Sequence, residues 1–409
     1  MELLSRPSQS SPWGFDISVG HKVTNASSII KYAELMITSR CEGACITCPL
    51  PAGPHIEKQQ GKDINLKNEL SRLKEIILIL KTLGLEVLTI YGKEPLLWDM
   101  EEGNLLLMEL IAWASKEKDI RICLCTSGLN LNQKVFRTLF EHQGILFMKD
   151  WGGERSVNRL MKAKNAYSRI KASWDNVQSL RKDFAKTTVI AEFLYTGINR
   201  GDLLDFWKAC LSNQYIPFVE TPVISGACIK NYPSLKIDSF DYVRDIYNLS
   251  LNHLSMLYHI PHDDLKNSDM WEPPFGSVFP ISCDKLTRGK GIFVDLEGNL
   301  SICSGVPVRI GNIFDNNISG ALQDSSVLRT TRNLYLELTG KCGECQYSKD
   351  LKICYGCRGH AFSYPSPHRG LSCDDPMCFG LCAKKAGYKR LKTFMAKKHI
   401  DKILDYFPN

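Results

Sequence analysis

The chain has 409 residues, and its 51 lysines and arginines exceed its 44 aspartates and glutamates to give a formal net charge of +7. This modest charge indicates no specific nucleic-acid partner. Apolar residues at 44% and charged residues at 23% are typical of a folded globular protein, and the absence of a membrane-span or secretory-signal pattern predicts a cytoplasmic protein without a membrane partner.

From about residue 33 to residue 225, short apolar segments alternate with longer segments of helical periodicity. Strands are predicted at 33–38, 87–91, 121–127, 145–149, 187–195 and 217–223. Helices are predicted at 63–82, 104–114, 131–142, 155–183 and 202–212. Because the strands are mostly apolar on both faces, the pattern predicts an α/β fold, a partial (β/α)6 barrel of parallel strands with its site at the carboxyl ends of the strands.

A smaller part follows the predicted barrel. A helical segment at 237–258 and a proline-rich stretch form a predicted connector, and 291–304 has a strand–turn–strand pattern. A small, irregular, cysteine-rich C-terminal domain and a basic tail follow. The predicted boundaries are an N-terminal extension at 1–32, the barrel core at 33–235, the connector at 236–282, the cysteine-rich domain at 283–382 and the tail at 383–409.

The 16 cysteines are clustered, and in a reducing compartment this indicates metal or redox chemistry rather than disulfide bonds. The segment SRCEGACITCPL places Cys41, Cys45 and Cys48 in a C-x3-C-x2-C spacing just after the first predicted strand. Three thiolates can hold three irons of a [4Fe–4S] cluster and leave the fourth iron open to a small molecule. The alternative is a zinc site, although structural zinc normally takes four protein ligands.

This cysteine loop resembles the one that defines the radical S-adenosylmethionine (radical SAM) superfamily, with Thr47 where an aromatic residue is usual. The resemblance implies that S-adenosylmethionine chelates the open iron of a [4Fe–4S] cluster. It also implies that an electron from the cluster cleaves the cosubstrate to a 5′-deoxyadenosyl radical, which abstracts hydrogen from the substrate.

A second match to the same superfamily follows the second predicted strand. The GKEP segment at 92–95 resembles the GGEP motif, whose backbone and carboxylate hold the amino group of S-adenosylmethionine. Polar residues at later strand ends are expected, by analogy, to meet the ribose, the methionine carboxylate or the substrate. The predicted cosubstrate contacts are Gly92, Lys93, Glu94, Pro95, Ser127 and Glu192.

The C-terminal cysteines resemble a SPASM domain, which carries auxiliary [4Fe–4S] clusters in many radical SAM enzymes. Cys283, Gly298 and Cys303 have a C-x14-G-x4-C spacing, and the CYGCRG and DDPMC stretches follow. The resemblance implies one or two auxiliary clusters, with Cys283, Cys303 and Cys357 serving the first and Cys342, Cys345, Cys354 and Cys378 serving the second. Two zinc knuckles are the alternative, because two C-x2-C pairs also suit zinc. Whether the first cluster has an open iron, and what Cys228, Cys373 and Cys382 do, stays open at this point.

The resemblance implies an enzyme, and we expect a radical SAM oxidoreductase or maturase that modifies a peptide or protein. A reductase, flavodoxin or ferredoxin is the expected electron donor. One alternative is a radical dehydrogenase or epimerase of a small carbohydrate or aminocyclitol, and another is a non-catalytic iron–sulfur or zinc protein. In one peptide-oxidising branch an aspartate base follows the cysteine equivalent to Cys303, but Ser304 stands there, and no catalytic base is predicted.

Overall fold

The computed structural model describes residues 30–50, 65–184, 187–270, 290–349, 356–363 and 370–406. Within these residues a sheet of nine strands organises the fold. The strands are β1 Tyr32–Met36, β2 Val87–Tyr91, β3 Arg121–Thr126, β4 Ile145–Lys149, β5 Thr188–Leu194, β6 Ile216–Glu220, β7 Gly291–Val294, β8 Asn299–Cys303 and β9 Val306–Asn312.

Helices alternate with the first six strands and then form the C-terminal region. Those that accompany the first six strands are α1 Leu66–Thr82, α2 Leu105–Lys118, α3 Gln133–Glu141, α4 Glu154–Met161, α5 Ala166–Leu180 and α6 Leu203–Ser212. After β6 come α7 Ala227–Leu235, α8 Ser239–Tyr258 and α9 His262–Asn267. After β9 come α10 Ile318–Asp324, α11 Ser326–Arg332, α12 Leu334–Glu337, α13 Gly340–Glu344, α14 Gln346–Lys349, α15 Arg358–Ser363, α16 Phe379–Ala386, α17 Tyr388–Leu391 and α18 Lys397–Tyr406.

The first six strands are parallel and adjacent in the order in which they occur in the chain. The predicted partial barrel of parallel strands is therefore confirmed, and β2 and β4 have the predicted bounds. The helices bury the apolar faces that their periodicity predicted; in α1 these include Leu70, Leu73 and Ile77. All six strands present their carboxyl ends at one edge of the sheet, so the loops that follow them share one mouth.

The strand–turn–strand pattern at 291–304 is confirmed, but its strands do not form a separate sheet. β7 pairs in parallel with β1, and β8 and β9 continue as antiparallel neighbours. The turn between β7 and β8 closes through Asp295, whose carboxylate accepts the N–H of Asn299 at 2.8 Å. The sheet therefore runs without a break from the barrel into the cysteine-rich region, and it places Cys303 at the end of β8.

The helix predicted at 155–183 is in fact two helices, α4 and α5. Lys162 ends α4 and Asn165 precedes α5, and both have a positive φ, 49° and 52°. A left-handed residue ends a helix and frees the carbonyls of its last turn. One of these, the Leu160 carbonyl, accepts the N–H of Ile46 from the cysteine loop at 2.9 Å, so the break in the helix supports the loop.

Apolar side chains pack on the outside of the barrel and beneath the C-terminal helices. One cluster joins the sheet to α1, α2 and α3 and extends to β8 and α10. A second cluster packs α6 and α8 against α16, so the C-terminal region rests on the barrel through Tyr242, Phe206 and Phe379. In the part of the chain that the structure describes, no helix is long and apolar enough to span a bilayer.

Helix α7 begins against the cysteine loop. The N–H groups of Ala227 and Cys228 donate to the carbonyls of Leu50 and Cys48, each at 3.3 Å. The approach depends on Gly226, which has φ 53° and ψ −127°; a Cβ at this position would lie 2.1 Å from the Leu50 carbonyl oxygen. The loop and the helix meet this closely because the residue between them has no side chain.

We expect Gly226→Ala to lower the free energy of unfolding by at least ~2 kcal/mol, because the backbone conformation excludes a Cβ and the loop must move. Gly201→Ala is the control: a Cβ there would meet no atom within 4 Å, and we expect a change within ~0.5 kcal/mol. Urea titration of both variants measures the difference. Equal midpoints and slopes for the two variants would contradict the described contact.

Candidate active site

Three cysteines converge in the loop that follows β1. A Cβ at Gly43 would lie 3.1 Å from Cys45 Sγ and 3.8 Å from Cys41 Sγ, so these two sulfurs flank the same glycine. Burial, then the charges of Glu94 and Cys48, raise the pKa of Cys41 to about 11. Burial, then the charges of Cys41 and Cys48, raise the pKa of Cys45. The three thiols are thus close enough to interact electrostatically. A metal that binds them must displace their protons.

The cysteine loop is tied to the loops that follow β2 and β3. The Arg40 guanidinium makes two bonds to the Glu101 carboxylate, at 3.0 and 2.5 Å. Glu42 pairs with Arg169 of α5 at 2.7 Å, and Arg169 Nε also donates to the Leu129 carbonyl at 2.8 Å. These contacts fix the start of the loop, on either side of Cys41, before any metal binds.

The donor set suits an iron–sulfur cluster. Within the described ranges, no group of three or more His, Cys, Asp or Glu side chains is arranged to hold a single metal ion. A [4Fe–4S] cluster does not need such an arrangement, because each thiolate bonds a different iron. Soft thiolates favour iron–sulfur clusters over hard cations such as magnesium. Cys41, Cys45 and Cys48 therefore fit three corners of a cluster.

The GKEP segment forms a strap across the cysteine loop. Gly92 has φ 146°, and a Cβ there would lie 2.9 Å from the Thr38 carbonyl oxygen. The N–H of Lys93 donates to that carbonyl at 3.4 Å, and the N–H of Glu94 donates to the Arg40 carbonyl at 3.1 Å. Lys93 is not among the described residues with a positive φ, so a lysine at the second position of the motif causes no backbone strain.

The Glu94 carboxylate connects the end of β2 to the end of β3. It is 1% exposed and accepts the Thr126 hydroxyl at 2.6 Å, the Ser127 N–H at 2.9 Å and the Leu96 N–H at 3.3 Å. The Ser127 hydroxyl donates to it as well. These four donors match the four acceptor positions of a carboxylate, so an ammonium group reaches Glu94 by replacing one of them. Pro95 follows and begins a short 3-10 helix.

A cluster of charged side chains stands at the ends of β4, β5 and β6. The ammonium of Lys149 lies 2.6 Å from the Glu192 carboxylate, which is 3% exposed, and 5.5 Å from the centre of the Trp151 ring. Burial raises the pKa of Glu220 well above its usual value, and the adjacent carboxylate of Glu192 raises it further. The cluster therefore sets one ammonium, that of Lys149, beside two acidic side chains.

Sequence reasoning identified Glu192 but missed its two partners. Lys149 and Glu220 are the last residues of apolar strands, in ILFMK and IPFVE. A charged residue that closes an apolar strand is the signal that could have identified them. The pairing itself follows from the register, which sets Lys149 opposite Glu192 on neighbouring strands.

The auxiliary cysteines fall into two places. A Cβ built on Gly305 would lie 3.4 Å from Val223 Cγ1 and 3.7 Å from Cys303 Sγ. A Cβ built on Gly359 would lie 3.3 Å from Val223 Cγ2 and 3.5 Å from Cys357 Sγ. The structure thus brings Cys303 and Cys357 to the same valine. Cys283, predicted for the first cluster, and Cys354, predicted for the second, lie outside the described residues.

The second place lies against α8 and α16. Cys345 and Cys378 pack against the same apolar cluster, together with the buried Cys382. Cys342 is 8% exposed, and its N–H donates to the Asp374 carboxylate at 2.7 Å. Burial raises the pKa of the Cys342 thiol to about 11.

Cys228 lies beside the first cysteine loop, and the charge of His360 in α15 also reaches it. It is fully buried and packs in an apolar cluster with Ile46, Leu160 and Trp151. Burial raises its pKa to about 12. Sequence separation concealed this neighbour, because Cys48 and Cys228 are 180 positions apart in the chain.

Comparison with known proteins gives two partial sequence matches, both to proteins described as AdoMet-dependent heme synthases. A curated relative from Methanosarcina barkeri, described as an AdoMet-dependent heme synthase, is 32% identical to this chain over 93 residues. The match covers 23% of this chain and 25% of the relative, so it spans about a quarter of that protein's length. No protein-family model matches the chain.

The likeness to solved structures is more extensive. Native anSMEcpe with bound AdoMet superimposes with a TM-score of 0.60 at 16% identity, covering 88% of this chain and 99% of that chain. The same protein with bound AdoMet and Cp18Cys peptide gives a TM-score of 0.59 at 15% identity, with 91% and 100% covered. The resemblance to radical SAM enzymes is therefore confirmed at the level of the fold, including the C-terminal region.

We expect Cys48→Ala to lower the iron content of the anaerobically reconstituted protein by about four atoms per chain, because one corner of a four-iron cluster loses its thiolate. Cys228→Ala is the matched control: it removes a neighbouring buried thiol and should retain the wild-type iron content. Iron and sulfide analysis with Mössbauer spectroscopy measures both. Loss of iron in the control but not in Cys48→Ala would contradict the assignment.

Proposed function

We propose that this chain is a radical SAM enzyme that reductively cleaves S-adenosylmethionine and abstracts hydrogen from a peptide or protein substrate. The observation that carries the proposal is the set of three thiols, Cys41, Cys45 and Cys48, on the loop after the first strand of a parallel partial barrel. When bound, a [4Fe–4S] cluster supplies the electron for cleavage and an open iron for the cosubstrate. The fold shared with AdoMet-bound structures supports this assignment.

The strap at 92–95 is proposed to hold the cosubstrate against the loop. Its N–H groups bond the chain just before Cys41, which fixes the distance between strap and thiols. Glu94 is buried, and the donors described for its carboxylate are uncharged hydroxyl and N–H groups. A cosubstrate ammonium that replaced the Ser127 hydroxyl would therefore form a charge-assisted hydrogen bond. Ser127 remains a proposed contact of the cosubstrate. Glu192, which the sequence predicted as another such contact, is proposed instead to face the substrate.

The cluster of Lys149, Glu192 and Glu220 is proposed to face the substrate and to take its proton. Oxidation at a carbon that bears oxygen, nitrogen or sulfur removes a hydrogen atom, a proton and one further electron. The proton needs an acceptor, and an auxiliary iron–sulfur cluster, if bound, would take the electron. Ser304 lacks the carboxylate that serves in one related branch. The Glu192 carboxylate is available at this mouth, held in place by Lys149 at 2.6 Å, and it shares a hydrogen bond with Glu220.

The substrate class is the less specific part of the proposal. A peptide or protein is favoured because the peptide-bound anSMEcpe structure covers 91% of this chain. A haem precursor is a second candidate, because the curated relative is an AdoMet-dependent heme synthase. We propose a flavodoxin, ferredoxin or reductase as the electron donor, in a reducing cytoplasm.

We expect anaerobically reconstituted, dithionite-reduced protein to convert S-adenosylmethionine to 5′-deoxyadenosine. Cys41→Ala should abolish the product, because the cluster loses a thiolate, while Cys228→Ala should keep at least half of the wild-type rate. Liquid chromatography with mass spectrometry quantifies the product. Cleavage by Cys41→Ala at the wild-type rate, or none by a wild-type protein that holds its iron, would refute the proposal.

Transfer of deuterium from labelled substrates then distinguishes the two substrate classes. Synthetic peptides or tetrapyrroles deuterated at single carbons are incubated with the enzyme, and transfer of deuterium to 5′-deoxyadenosine marks the class from which hydrogen is taken. Transfer of deuterium from a labelled peptide to 5′-deoxyadenosine supports the first candidate, a peptide or protein substrate. Transfer from a tetrapyrrole alone would replace it by the second.

The protonation of Glu220 can be measured without a substrate. Because burial and Glu192 raise its pKa, its carboxyl should be protonated at neutral pH and lose its proton as the pH rises. Infrared difference spectra should show a protonated carboxyl band that disappears in Glu220→Gln. The control Glu86→Gln alters a carboxylate paired with Lys31 at 2.8 Å and should retain the band; loss of the band in both variants, or in neither, counts against the described cluster.

A further inference from the structure

The positive charge of the chain is concentrated near its C-terminus. Residues 383–409 contain eight lysines and arginines and two aspartates, which gives this segment +6 of the formal net charge of +7. No step of the proposed reaction involves these residues. A surface with charge of one sign attracts partners of the opposite sign and accelerates their encounter, so the location of this charge indicates where such a partner binds.

Helices α16, α17 and α18 carry most of this charge on their exposed positions. Their apolar side chains, among them Leu391, Met395 and Ile400, are buried in the second apolar cluster beside α8. Five cations are exposed and are here called the basic face: Lys385, Lys389, Arg390, Lys392 and Lys397. The helices are therefore held in place by apolar packing, and the basic face is a surface of the folded protein.

Carboxylates do little to neutralise the basic face. Within the described residues, none of its five cations forms an ion pair. The neighbouring Lys398 does form one, with Asp269 at 3.2 Å. The Arg390 guanidinium lies 5.4 Å from the centre of the Phe240 ring, a contact that orients a cation without cancelling its charge. The basic face therefore keeps its positive charge for a partner.

The basic face adjoins the second group of auxiliary cysteines. Cys378 directly precedes α16, and the N–H of Cys382 donates to the Cys378 carbonyl at 2.9 Å. Cys345 packs against the same apolar cluster as α16. Lys385 lies in the last turn of this helix, ~10 Å along its axis from Cys378 at a rise of 1.5 Å per residue. A protein bound to the basic face is thus brought close to these cysteines.

We propose that the basic face is the docking surface for an acidic ferredoxin, which accepts one electron from the second auxiliary group. The proposal rests on the cluster assignment made under the proposed function. Oxidation of the substrate there leaves one electron in addition to the hydrogen atom and the proton. Oxidised ferredoxin gains this electron and becomes reduced, and no bond forms or breaks in the transfer.

The position of the basic face favours an electron carrier over other anionic partners. An acidic peptide substrate must enter the barrel mouth, whereas the basic face adjoins Cys345 and Cys378. A single-stranded nucleic acid needs aromatic side chains on which its bases stack, but Phe379, Tyr388 and Phe394 pack in the second apolar cluster. A ferredoxin combines an iron–sulfur centre that takes one electron with an acidic surface, so it meets both requirements.

Binding of oxidised plant-type ferredoxin to the anaerobically reconstituted full chain tests the proposal. In isothermal titration calorimetry at low ionic strength, Lys385→Glu/Lys389→Glu should raise the Kd at least tenfold, because two attractive charges become repulsive. The difference should vanish in about 1 M salt, where the Debye length is ~3 Å. Stopped-flow mixing of the reduced chain with oxidised ferredoxin should show a rate constant for ferredoxin reduction that is lower by a similar factor.

Two further variants keep the test decisive. Lys116→Glu/Lys134→Glu is the charge-matched control: both lysines are exposed, on α2 and α3, which pack in the first apolar cluster, and the Kd should stay within about twofold of the wild-type value. Lys392→Glu/Lys397→Glu lies outside α16 and should raise the Kd even if the first pair disturbs that helix. An unchanged Kd in both C-terminal pairs, or an equal increase in the control, would overturn the proposal.

A flavodoxin and a single-stranded oligonucleotide are titrated in parallel to identify the occupant. We expect both to bind more weakly than ferredoxin. Tighter binding of either one, weakened by the same C-terminal pairs, would overturn the choice of ferredoxin.

Failure of this inference is distinguishable from failure of the proposed function, because binding of ferredoxin does not require S-adenosylmethionine. A chain that cleaves S-adenosylmethionine but whose Kd for ferredoxin ignores both C-terminal pairs overturns the inference and leaves the function standing. A chain that binds ferredoxin through the basic face but cleaves no S-adenosylmethionine supports the docking surface and refutes the function.

Discussion

The structure depends on holding three thiols in a short loop that has no regular structure of its own. Ordering such a loop costs roughly 1–2 kcal/mol of conformational entropy per residue, which metal binding would otherwise have to supply. Here, contacts from three sides of the folded protein order the loop. The Leu160 carbonyl accepts the N–H of Ile46, the start of α7 donates to the Cys48 carbonyl, and Arg169 pairs with Glu42.

Buried charge is organised around the same mouth. On the barrel side, Lys149 and Glu192 form a close pair beside Glu220, whose pKa burial raises. On the C-terminal side, His360 and Asp375 form a second pair. Thr221 lies between the two, one residue from Glu220 and within hydrogen-bond distance of His360. Replacing a buried ion pair by well-packed apolar residues is often neutral or stabilising, so stability alone does not account for these charges.

Much of the fold could be predicted from the sequence because it is encoded in local patterns. Six apolar segments and their intervening helices define the parallel sheet, and the spacing of Cys41, Cys45 and Cys48 defines the loop. The division of the helix at 155–183 was missed because Lys162 is not a residue that signals a left-handed turn. The pairing of β7 with β1 was missed because the two strands are more than 250 residues apart.

The candidate site was predictable to the extent that it lies within single loops. The GKEP strap and the cysteine loop are contiguous in sequence, whereas Lys149 meets Glu192 through strand register. His360 meets Thr221 across 139 residues. Such contacts join side chains of ordinary type and leave no spacing motif. Their chemical role can be inferred only from the structure, in which the sheet brings them to one edge.

The most direct test of the account is electron–nuclear double resonance on the reduced, reconstituted protein with S-adenosylmethionine labelled with ¹⁵N at its amino group. If one iron of the cluster held by Cys41, Cys45 and Cys48 is open to the cosubstrate, the spectrum will show hyperfine coupling to the labelled nitrogen, and the coupling will be absent when unlabelled cosubstrate is used. A fully reduced cluster that shows no such coupling at saturating cosubstrate would contradict the account.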